Sequence, residues 1–223
     1  MSPSKIRVTV LISGSGTNLQ ALIDASLNDS LPINIIRVIS NKKDAYGLQR
    51  ATNAGIPTLY HNIIGGGYRK KFGKDNPQER EEYDKDLASL ILEDKPELVV
   101  CAGWMHILSA QFLNPLEKAN LPIINLHPAL PGAYDGAGAI ERAHKDFMAR
   151  RIEKMGIMIH YVVQEVDRGE PIVVREIPLE HPRDDDIHEL EERVHKVEHV
   201  AIVDGTRIAI SKILERRAHS GQQ

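Results

Sequence analysis

The segment from Ile6 to Leu27 constrains the fold of this chain more than any other part of the sequence. Ile6–Ile12 is rich in β-branched residues and ends at Ser13-Gly14-Ser15-Gly16, which predicts a buried strand bounded by a glycine turn. From Thr17 onwards the pattern becomes helical, because Leu19, Leu22, Ile23 and either Ser26 or Leu27 share one face. A strand that passes through glycines into a helix begins a βαβ unit, so the segment predicts a parallel sheet.

The alternation of strand and helix continues along the chain. Further strands are expected at residues 33–39, 56–60, 97–102 and 122–126, and helices at residues 45–54, 78–92, 107–116 and 139–150. Two later strands, residues 156–163 and 171–177, flank the turn Asp167-Arg168-Gly169 and predict an antiparallel pair. A long helix is expected at 186–216, with a polar, frayed tail at 217–223. The sequence therefore predicts an α/β fold in which helices flank a mostly parallel, twisted sheet.

Residues 61–77 interrupt this alternation. They hold Gly65-Gly66-Gly67 and a group of basic residues, Arg69, Lys70, Lys71 and Lys74, which favours a surface insertion. The sequence has no internal repeat, low-complexity tract or linker, so we expect residues 1–223 to form a single domain.

Composition narrows the class of partner and the compartment. The chain has 223 residues, 42% of them hydrophobic, and a net charge of −3, which disfavours nucleic acid as a partner. Its one cysteine, Cys101, lies in an apolar run and is expected to be a buried thiol in a reducing compartment. No signal peptide or apolar stretch of membrane-spanning length is found, so we expect a soluble cytoplasmic protein with no membrane partner.

The glycine loop, which we define as residues 13–18, is a candidate anion site. Backbone N–H groups at a helix N-terminus lack partners and favour an anion, and Thr17 and Asn18 add side-chain donors. Leu19 replaces the third glycine of a dinucleotide fingerprint, and no Gly-Lys-Ser/Thr follows as in a P-loop. The loop therefore predicts either a phosphate site or a tight turn without a ligand.

A second candidate site follows the predicted strand at 122–126. Asn125 and His127 lie on one side of it and near its carboxyl end, where ligands of open α/β sheets gather. An amide and an imidazolium can donate to a developing oxyanion, and a carboxylate such as Asp167 would stabilise the imidazolium. A hydrogen-bonded structural histidine and an aspartate that serves only the turn remain alternatives.

No metal is expected. The sequence lacks H-E-x-x-H and paired C-x-x-C motifs, and His195 and His199, which are four residues apart, are more typical of a polar helix face.

At this point the sequence resembles the phosphoribosylglycinamide formyltransferases of purine biosynthesis, and in particular a monofunctional, fungal-like member. The resemblance covers almost the whole chain and is carried by segments in the family's order: VLISGSGTNLQALID (10–24), ISNKKDAYGL (39–48), REEYD (80–84), AGWMHIL (102–108), NLHPALP (125–131), DRGEP (167–171) and RVHKVEH (193–199). It implies a Rossmann-like formyltransferase fold, with a phosphate-binding half at 1–101 and a folate-binding, catalytic half at 102–223. It also implies formyl transfer from 10-formyltetrahydrofolate to the amine of 5-phosphoribosylglycinamide, by direct amine attack and without a metal.

The resemblance assigns roles to individual residues. Asn125 and His127 would stabilise the oxyanion, and Asp167 would raise the pKa of His127 and relay protons. The substrate would be bound by Gly16, Thr17, Asn18, Leu19, His195, Lys196, Val197 and Glu198. The folate would be bound by Arg80, Met105, His106, Ile107, Leu108, Asn125, Val163, Gln164, Glu165, Val166 and Asp167.

The chain departs from the family at a few positions. His106 stands where an arginine is common, His195 replaces a glutamine or lysine, and the loop 135–140 lacks a histidine that many relatives carry. Alternatives are a formyltetrahydrofolate hydrolase, a methionyl-tRNA formyltransferase, or a non-catalytic nucleotide- or folate-binding module. The first two usually carry an additional domain that this sequence is not expected to hold. Whether the protein is a monomer or a homodimer stays open.

Overall fold

The computed structural model describes residues 5–74 and 76–220, without the side chain of Ser220. Its strands are β1 (Ile6–Ile12), β2 (Ile33–Ser40), β3 (Thr58–Tyr60), β4 (Leu98–Cys101), β5 (Ile123–His127), β6 (Lys154–Tyr161) and β7 (Pro171–Pro178). Its helices are α1 (Thr17–Leu27), α2 (Tyr46–Asn53), α3 (Tyr68–Phe72), α4 (Pro77–Glu93), α5 (Ala110–Lys118), α6 (Ala139–Met148) and α7 (Ile187–Ser220). Within these residues the strands form a seven-stranded sheet in the order β3-β2-β1-β4-β5-β6-β7.

The chain divides into two compact units, unit 1 (Met1–Ile123) and unit 2 (Ile124–Gln223). In unit 1, β1 pairs in parallel with both β2 and β4, and β2 pairs in parallel with β3. Val8, Val10 and Leu11 on β1 are completely buried, as expected for a strand inside a parallel sheet.

Unit 2 is built on antiparallel pairing. β6 pairs with β5 on one side and with β7 on the other, and α7 packs against both β6 and β7. The helix approaches β6 closely at Gly205, where an added Cβ would lie 2.5 Å from Cγ2 of Ile159. The predicted α/β fold, with its antiparallel C-terminal strands and long C-terminal helix, is confirmed.

Two predicted boundaries are wrong for local reasons. α5 begins at Ala110 rather than at residue 107, because Arg80 holds the carbonyl of Ile107 and Asp84 accepts the N–H of Ser109, which is extended. The polar tail at 217–220 belongs to α7 rather than being frayed, and His219 bonds to the carbonyl of Glu215. Residues 221–223 lie outside the described residues.

The segment at 61–77 is more than a surface feature. It contains α3, whose Tyr68 is buried and donates through its hydroxyl to Asp86 at 2.8 Å. Asp75 lies outside the described residues. The predicted single domain, with halves meeting near residue 101, stays a prediction. None of the helices in the described part of the chain has the length and apolar character needed to span a bilayer.

Candidate active site

Strand β5 supplies two polar side chains at the predicted position. Ile124 and Leu126 are buried, and the alternate residues Asn125 and His127 share the opposite side of the strand. Asn125 lies opposite His160 of β6 in the antiparallel ladder, so His160 joins the same site. His127 and His160 are almost completely buried, at 3% and 2% exposure. Buried imidazoles beside an amide require a polar partner, which comes from the turn after β6.

The connection between β6 and β7 delivers Asp167 to these residues. Asp167 has a φ of 55°, in the left-handed region that aspartate tolerates better than most residues. Gly169 follows it, and an added Cβ there would overlap the carbonyl oxygen of Tyr161. Tyr161 in turn donates its N–H to the carbonyl of Glu170 at 3.0 Å, which closes the connection. The turn therefore lies in close contact with the end of β6. This contact places the side chain of Asp167 next to Asn125 and His127.

Asp167 is the centre of a polar cluster in unit 2. Its Oδ1 lies 3.3 Å from Nδ2 of Asn125 and 3.4 Å from Nε2 of His160. Its Oδ2 lies 3.4 Å from Nδ1 of His127 and accepts the N–H of Gly136 at 2.7 Å. The predicted catalytic residues Asn125, His127 and Asp167 therefore converge.

The partners of each imidazole restrict its protonation. Nδ1 of His160 lies 2.8 Å from the carbonyl of Tyr161, which can only accept, so Nδ1 carries a proton. The neutral ring then accepts at Nε2 from Nδ2 of Asn125 at 3.2 Å, and the protonated ring donates from Nε2 to Asp167. His127 faces acceptors at both nitrogens, Asp167 at Nδ1 and the carbonyl of Ala133 at 3.3 Å from Nε2. Only the doubly protonated ring can donate to both.

Asp167 is held as a carboxylate. Burial raises its pKa, but the hydrogen bond from His160, the N–H of Gly136 and the charge of His127 outweigh burial. The net pKa of Asp167 therefore lies below its ordinary value.

Sequence reasoning missed His160 and Gly136. His160 lies within a strand, where a lone histidine gives no functional signal, and Gly136 contributes only its backbone N–H. The loop that carries Gly136 is fixed by Arg168, which pairs with Asp135 at 2.6 Å, and by Arg142, which donates to the carbonyls of Tyr134 and Asp135. These contacts hold a loop that lacks the histidine common in the resembling family.

In unit 1 the glycine loop joins β1 to α1 as predicted. Gly16 precedes α1 with a φ of 71°, and α1 has neither a side-chain cap nor an acidic residue in its first turn. These features suit an anion at the helix N-terminus. The side chain of Leu19 is fully buried, so only its backbone is available to a ligand.

The segment 105–108 of unit 1 lies beside this loop, because Met105 donates its N–H to Oγ of Ser13 at 2.9 Å. Met105 and Ile107 are exposed at 67% and 65%, whereas Leu108 is buried. Two exposed apolar side chains in one short segment are suited to cover an apolar ligand. Arg80 donates to the carbonyl of Ile107 and so fixes the segment to α4.

His106 belongs to an aromatic cluster with Tyr83 and Trp104. Its ring contacts those of Tyr83 and Trp104 edge-on, at centroid distances of 5.9 and 5.7 Å. Burial, assisted by the charge of Arg80, lowers the pKa of His106, so this residue is neutral at physiological pH. The position where relatives often have an arginine therefore carries no charge here.

The remaining predicted ligand-binding residues lie in unit 2. Val163, Gln164 and Glu165 are exposed and Val166 is half-buried, in the connection that leads to Asp167. On α7, His195 and Lys196 are exposed, Val197 is half-buried and Glu198 is buried. Their contacts with substrate and folate stay predictions.

Among the described residues no group of three histidine, cysteine, aspartate or glutamate side chains is arranged to hold a metal ion.

The chain is similar to known proteins along most of its length. Residues 6–206 match the formyl transferase family. The chain is 50% identical over 198 residues to phosphoribosylglycinamide formyltransferase of Schizosaccharomyces pombe, covering 88% of this chain and 93% of that protein. It is 44% identical to the Saccharomyces cerevisiae protein of the same name, covering 90% and 95%. A solved phosphoribosylglycinamide formyltransferase from Anaplasma phagocytophilum is 33% identical, with a TM-score of 0.73 over 91% of this chain and 85% of that one.

The chain therefore belongs to the formyl transferase family. Within that family it groups with the phosphoribosylglycinamide formyltransferases, fungal members included, which confirms the resemblance predicted from the sequence.

Proposed function

We propose that this enzyme transfers the formyl group of 10-formyltetrahydrofolate to the amine of 5-phosphoribosylglycinamide in de novo purine biosynthesis. The observation that carries the proposal is the convergence of Asn125, His127 and Asp167, with a carboxylate between an amide and an imidazole. Its relatives are named for this reaction, and the glycine loop has the features of a phosphate site.

The reaction is a direct attack of the substrate amine on the formyl carbon. A carbon–nitrogen bond forms, the formyl oxygen becomes an oxyanion, and the bond from carbon to N10 of the folate then breaks. The proton lost by the amine is passed to N10. Because acyl transfer develops charge on oxygen, donors aimed at that oxygen lower the barrier.

His127 and Asn125 are the proposed donors to the oxyanion. Protonated His127 would donate from Nε2, which faces the carbonyl of Ala133 at 3.3 Å, so the oxyanion would take over that contact. The carboxylate of Asp167, 3.4 Å from Nδ1, stabilises the positive charge of the ring. Nδ2 of Asn125 lies near His160 and Asp167, so the oxyanion would take over one of these two contacts. Asp167 then relays the proton between amine and N10.

The binding residues are proposed on the resemblance and on their placement. Gly16, Thr17, Asn18 and Leu19 would bind the phosphate, and His195, Lys196, Val197 and Glu198 would bind the ribose side of the substrate. The folate would contact Arg80, the segment Met105, His106, Ile107 and Leu108, and the segment Val163, Gln164, Glu165 and Val166. Neither a metal nor nucleic acid takes part, and a cytoplasmic location stays a prediction.

The direct test is turnover by the purified protein with both substrates, followed by the appearance of tetrahydrofolate and of formylated amine in equal amounts. The His127→Ala variant serves as the inactive control. Release of formate without formylated amine would indicate hydrolysis instead of transfer. Binding of both ligands without any turnover, in protein shown to be folded, would indicate a binding module.

A further inference from the structure

The first turn of α2 packs directly against the glycine loop. An added Cβ at Gly16 would lie 2.5 Å from Cα of Gly47, and one at Gly47 would lie 3.1 Å from Cα of Gly16 and 2.5 Å from Cδ1 of Ile12. A Cβ at Gly16 would collide with the backbone of Gly47, whereas a Cβ at Gly47 would crowd Cα of Gly16 and displace the end of the Ile12 side chain. Gly47 lies in the segment 39–48 that carried the resemblance, and the proposed chemistry does not use it.

Helix α2 also makes two hydrogen bonds to carbonyl groups of the loop. The N–H of Gly47 donates to the carbonyl of Gly14 at 3.1 Å, and Nε of Arg50 donates to the carbonyl of Ser15 at 2.9 Å. Both peptide bonds are trans, so each N–H points away from the carbonyl of the same peptide. The N–H groups of Ser15 and Gly16 therefore face away from α2. Successive N–H groups on one side of a loop form an anion-binding concavity, which α1 extends with its first N–H groups.

Arg50 brings a positive charge to a loop that has no cationic side chain of its own. Its guanidinium lies over the ring of Tyr46, 5.0 Å from the centroid, and donates from Nη1 to Gln20 at 3.2 Å. Among residues 5–74 and 76–219, no carboxylate forms an ion pair with Arg50. The charge is therefore held in place next to the loop and is not neutralised by a neighbouring acid.

We propose that Arg50 and Gly47 are positioning residues for the phosphate of the acceptor substrate. Gly47 and Arg50 turn the carbonyl groups of the loop towards α2, which directs its N–H groups at the phosphate, and Arg50 adds an uncompensated positive charge. This inference rests on the proposed function, because it assumes that the glycine loop binds the phosphate of the amine.

The test compares Arg50→Gln with Lys43→Gln, which removes an exposed charge from the segment just before α2. Steady-state kinetics are measured with the phosphorylated amine and with its dephosphorylated analogue. For Arg50→Gln we expect KM for the phosphorylated amine to rise about tenfold or more, the factor that corresponds to about 1.4 kcal/mol. We expect kcat, and KM for the formyl folate, to stay within about twofold. The lost interaction with the phosphate is made equally in the bound substrate and in the transition state, so its loss does not slow the chemical step.

The preference for the phosphorylated amine separates positioning from a general structural defect. In Arg50→Gln the ratio of kcat/KM between the two amines should fall, whereas in Lys43→Gln it should equal that of the unaltered enzyme. Gly47→Ala, which keeps Arg50 but crowds the contact between α2 and the loop, should lower the same ratio. An equal loss of kcat/KM with both amines would overturn the proposal. So would a KM for the phosphorylated amine that is unchanged in Arg50→Gln and Gly47→Ala.

A separate measurement keeps this inference distinct from the proposed reaction. Binding of inorganic phosphate to the unaltered protein and to the variants is followed by ³¹P NMR, which requires no turnover. Weaker binding in Arg50→Gln and Gly47→Ala, but not in Lys43→Gln, supports the positioning role even if the enzyme acts on a different phosphorylated amine. Phosphate binding that is identical in all four proteins would overturn it, even if turnover is observed.

Discussion

Asp167 contacts each of the other polar groups of the candidate site in unit 2. One of its oxygens lies near Asn125 and His160, and the other lies near His127 and the N–H of Gly136. A carboxylate has enough lone pairs for these partners, and a buried carboxylate needs them to remain ionised. Its single charge can therefore fix two imidazoles and an amide in one arrangement.

Removing the imidazole of His127 should abolish most of the turnover. We expect His127→Ala to lower kcat by about 10²–10⁴-fold, the usual contribution of one positioned acid–base group. Equilibrium binding of each substrate, measured separately, should change little because His127 is buried and its proposed role is towards the reacting atoms. His188→Ala, which alters a side chain that is 85% exposed on α7, is the control and should retain full activity. A kcat within a few-fold of the unaltered enzyme would exclude the role given to His127.

Changing Asp167 should leave a signature in the pH dependence of stability. Its pKa is lower in the folded protein than in the unfolded chain, so the carboxylate stabilises the fold above its ordinary pKa. That stabilisation is lost as pH falls through the folded pKa. The difference in free energy of unfolding between the native sequence and Asp167→Asn should therefore shrink as the pH falls below about 4. Urea unfolding over a series of pH values measures it, and a difference that grows on acidification would contradict the ionised state.

At the scale of elements, the turn between β6 and β7 determines where Asp167 lies. An added Cβ at Gly169 would overlap the carbonyl oxygen of Tyr161, so the turn would have to move away from β6. We expect Gly169→Ala to destabilise the protein by more than about 2 kcal/mol, as a steric backbone conflict does, and to lower kcat because Asp167 moves with the turn.

Gly55→Ala provides a matched comparison for this substitution. Gly55 has a φ of 71°, but an added Cβ there meets no atom within 4 Å. We expect a cost of about 1 kcal/mol from the backbone conformation alone, with kcat unchanged. Thermal unfolding and kcat are measured on both variants. An equal effect of the two substitutions would show that the contact with Tyr161 does not matter.

The elements that sequence analysis predicted best are those with strong periodicity. β1 and α1 were predicted by a β-branched run and a helical apolar face that both belong to the core, so local pattern and burial agree. α5 was predicted to begin too early because the apolar residues at 107 and 108 resemble a first turn. In the structure Arg80 and Asp84, which are distant in sequence, hold that segment outside the helix.

The candidate site was predictable only in part for a related reason. Asn125 and His127 stand at the end of a recognisable strand, and family motifs added Asp167. His160 becomes visible only through the antiparallel register that sets it opposite Asn125. The contribution of Gly136 is a backbone N–H, which no residue type reveals. His160 and Gly136 therefore join the site through contacts between residues distant in sequence, which the local sequence pattern does not show.

Tyr68 shows the same limitation in the segment at 61–77. The glycines and basic residues of that segment indicate a solvated loop. The ring of Tyr68 nevertheless packs edge-on against the rings of Tyr83 and His61, at centroid distances of 5.6 and 5.8 Å. His61 also stacks on Tyr83, which contacts His106. Through this chain of rings, the segment supports a residue of the proposed folate site.

At the scale of the whole molecule, the described residues form two compact units, and the single domain expected from the sequence stays a prediction. Cys101 and the single tryptophan, Trp104, both belong to unit 1 and are 2% and 8% exposed. The long helix α7 belongs to unit 2. Thiol labelling and tryptophan fluorescence therefore follow unit 1, whereas the helical circular dichroism follows both units, because α1–α5 belong to unit 1 and α6 and α7 to unit 2.

Cys101 should resist labelling until unit 1 unfolds. Burial raises the pKa of its thiol to about 12, so almost no thiolate is present in the native state at pH 8. We expect a disulfide reagent to react at least about 10³-fold more slowly than with the urea-unfolded chain, because native stability limits access. If the units fold as one domain, the urea midpoints from thiol labelling, tryptophan fluorescence and circular dichroism should coincide. Rapid labelling in native buffer would contradict the burial of Cys101. A circular dichroism transition in two steps, only one of which coincides with thiol labelling and tryptophan fluorescence, would show that the units unfold independently and would overturn the single-domain prediction.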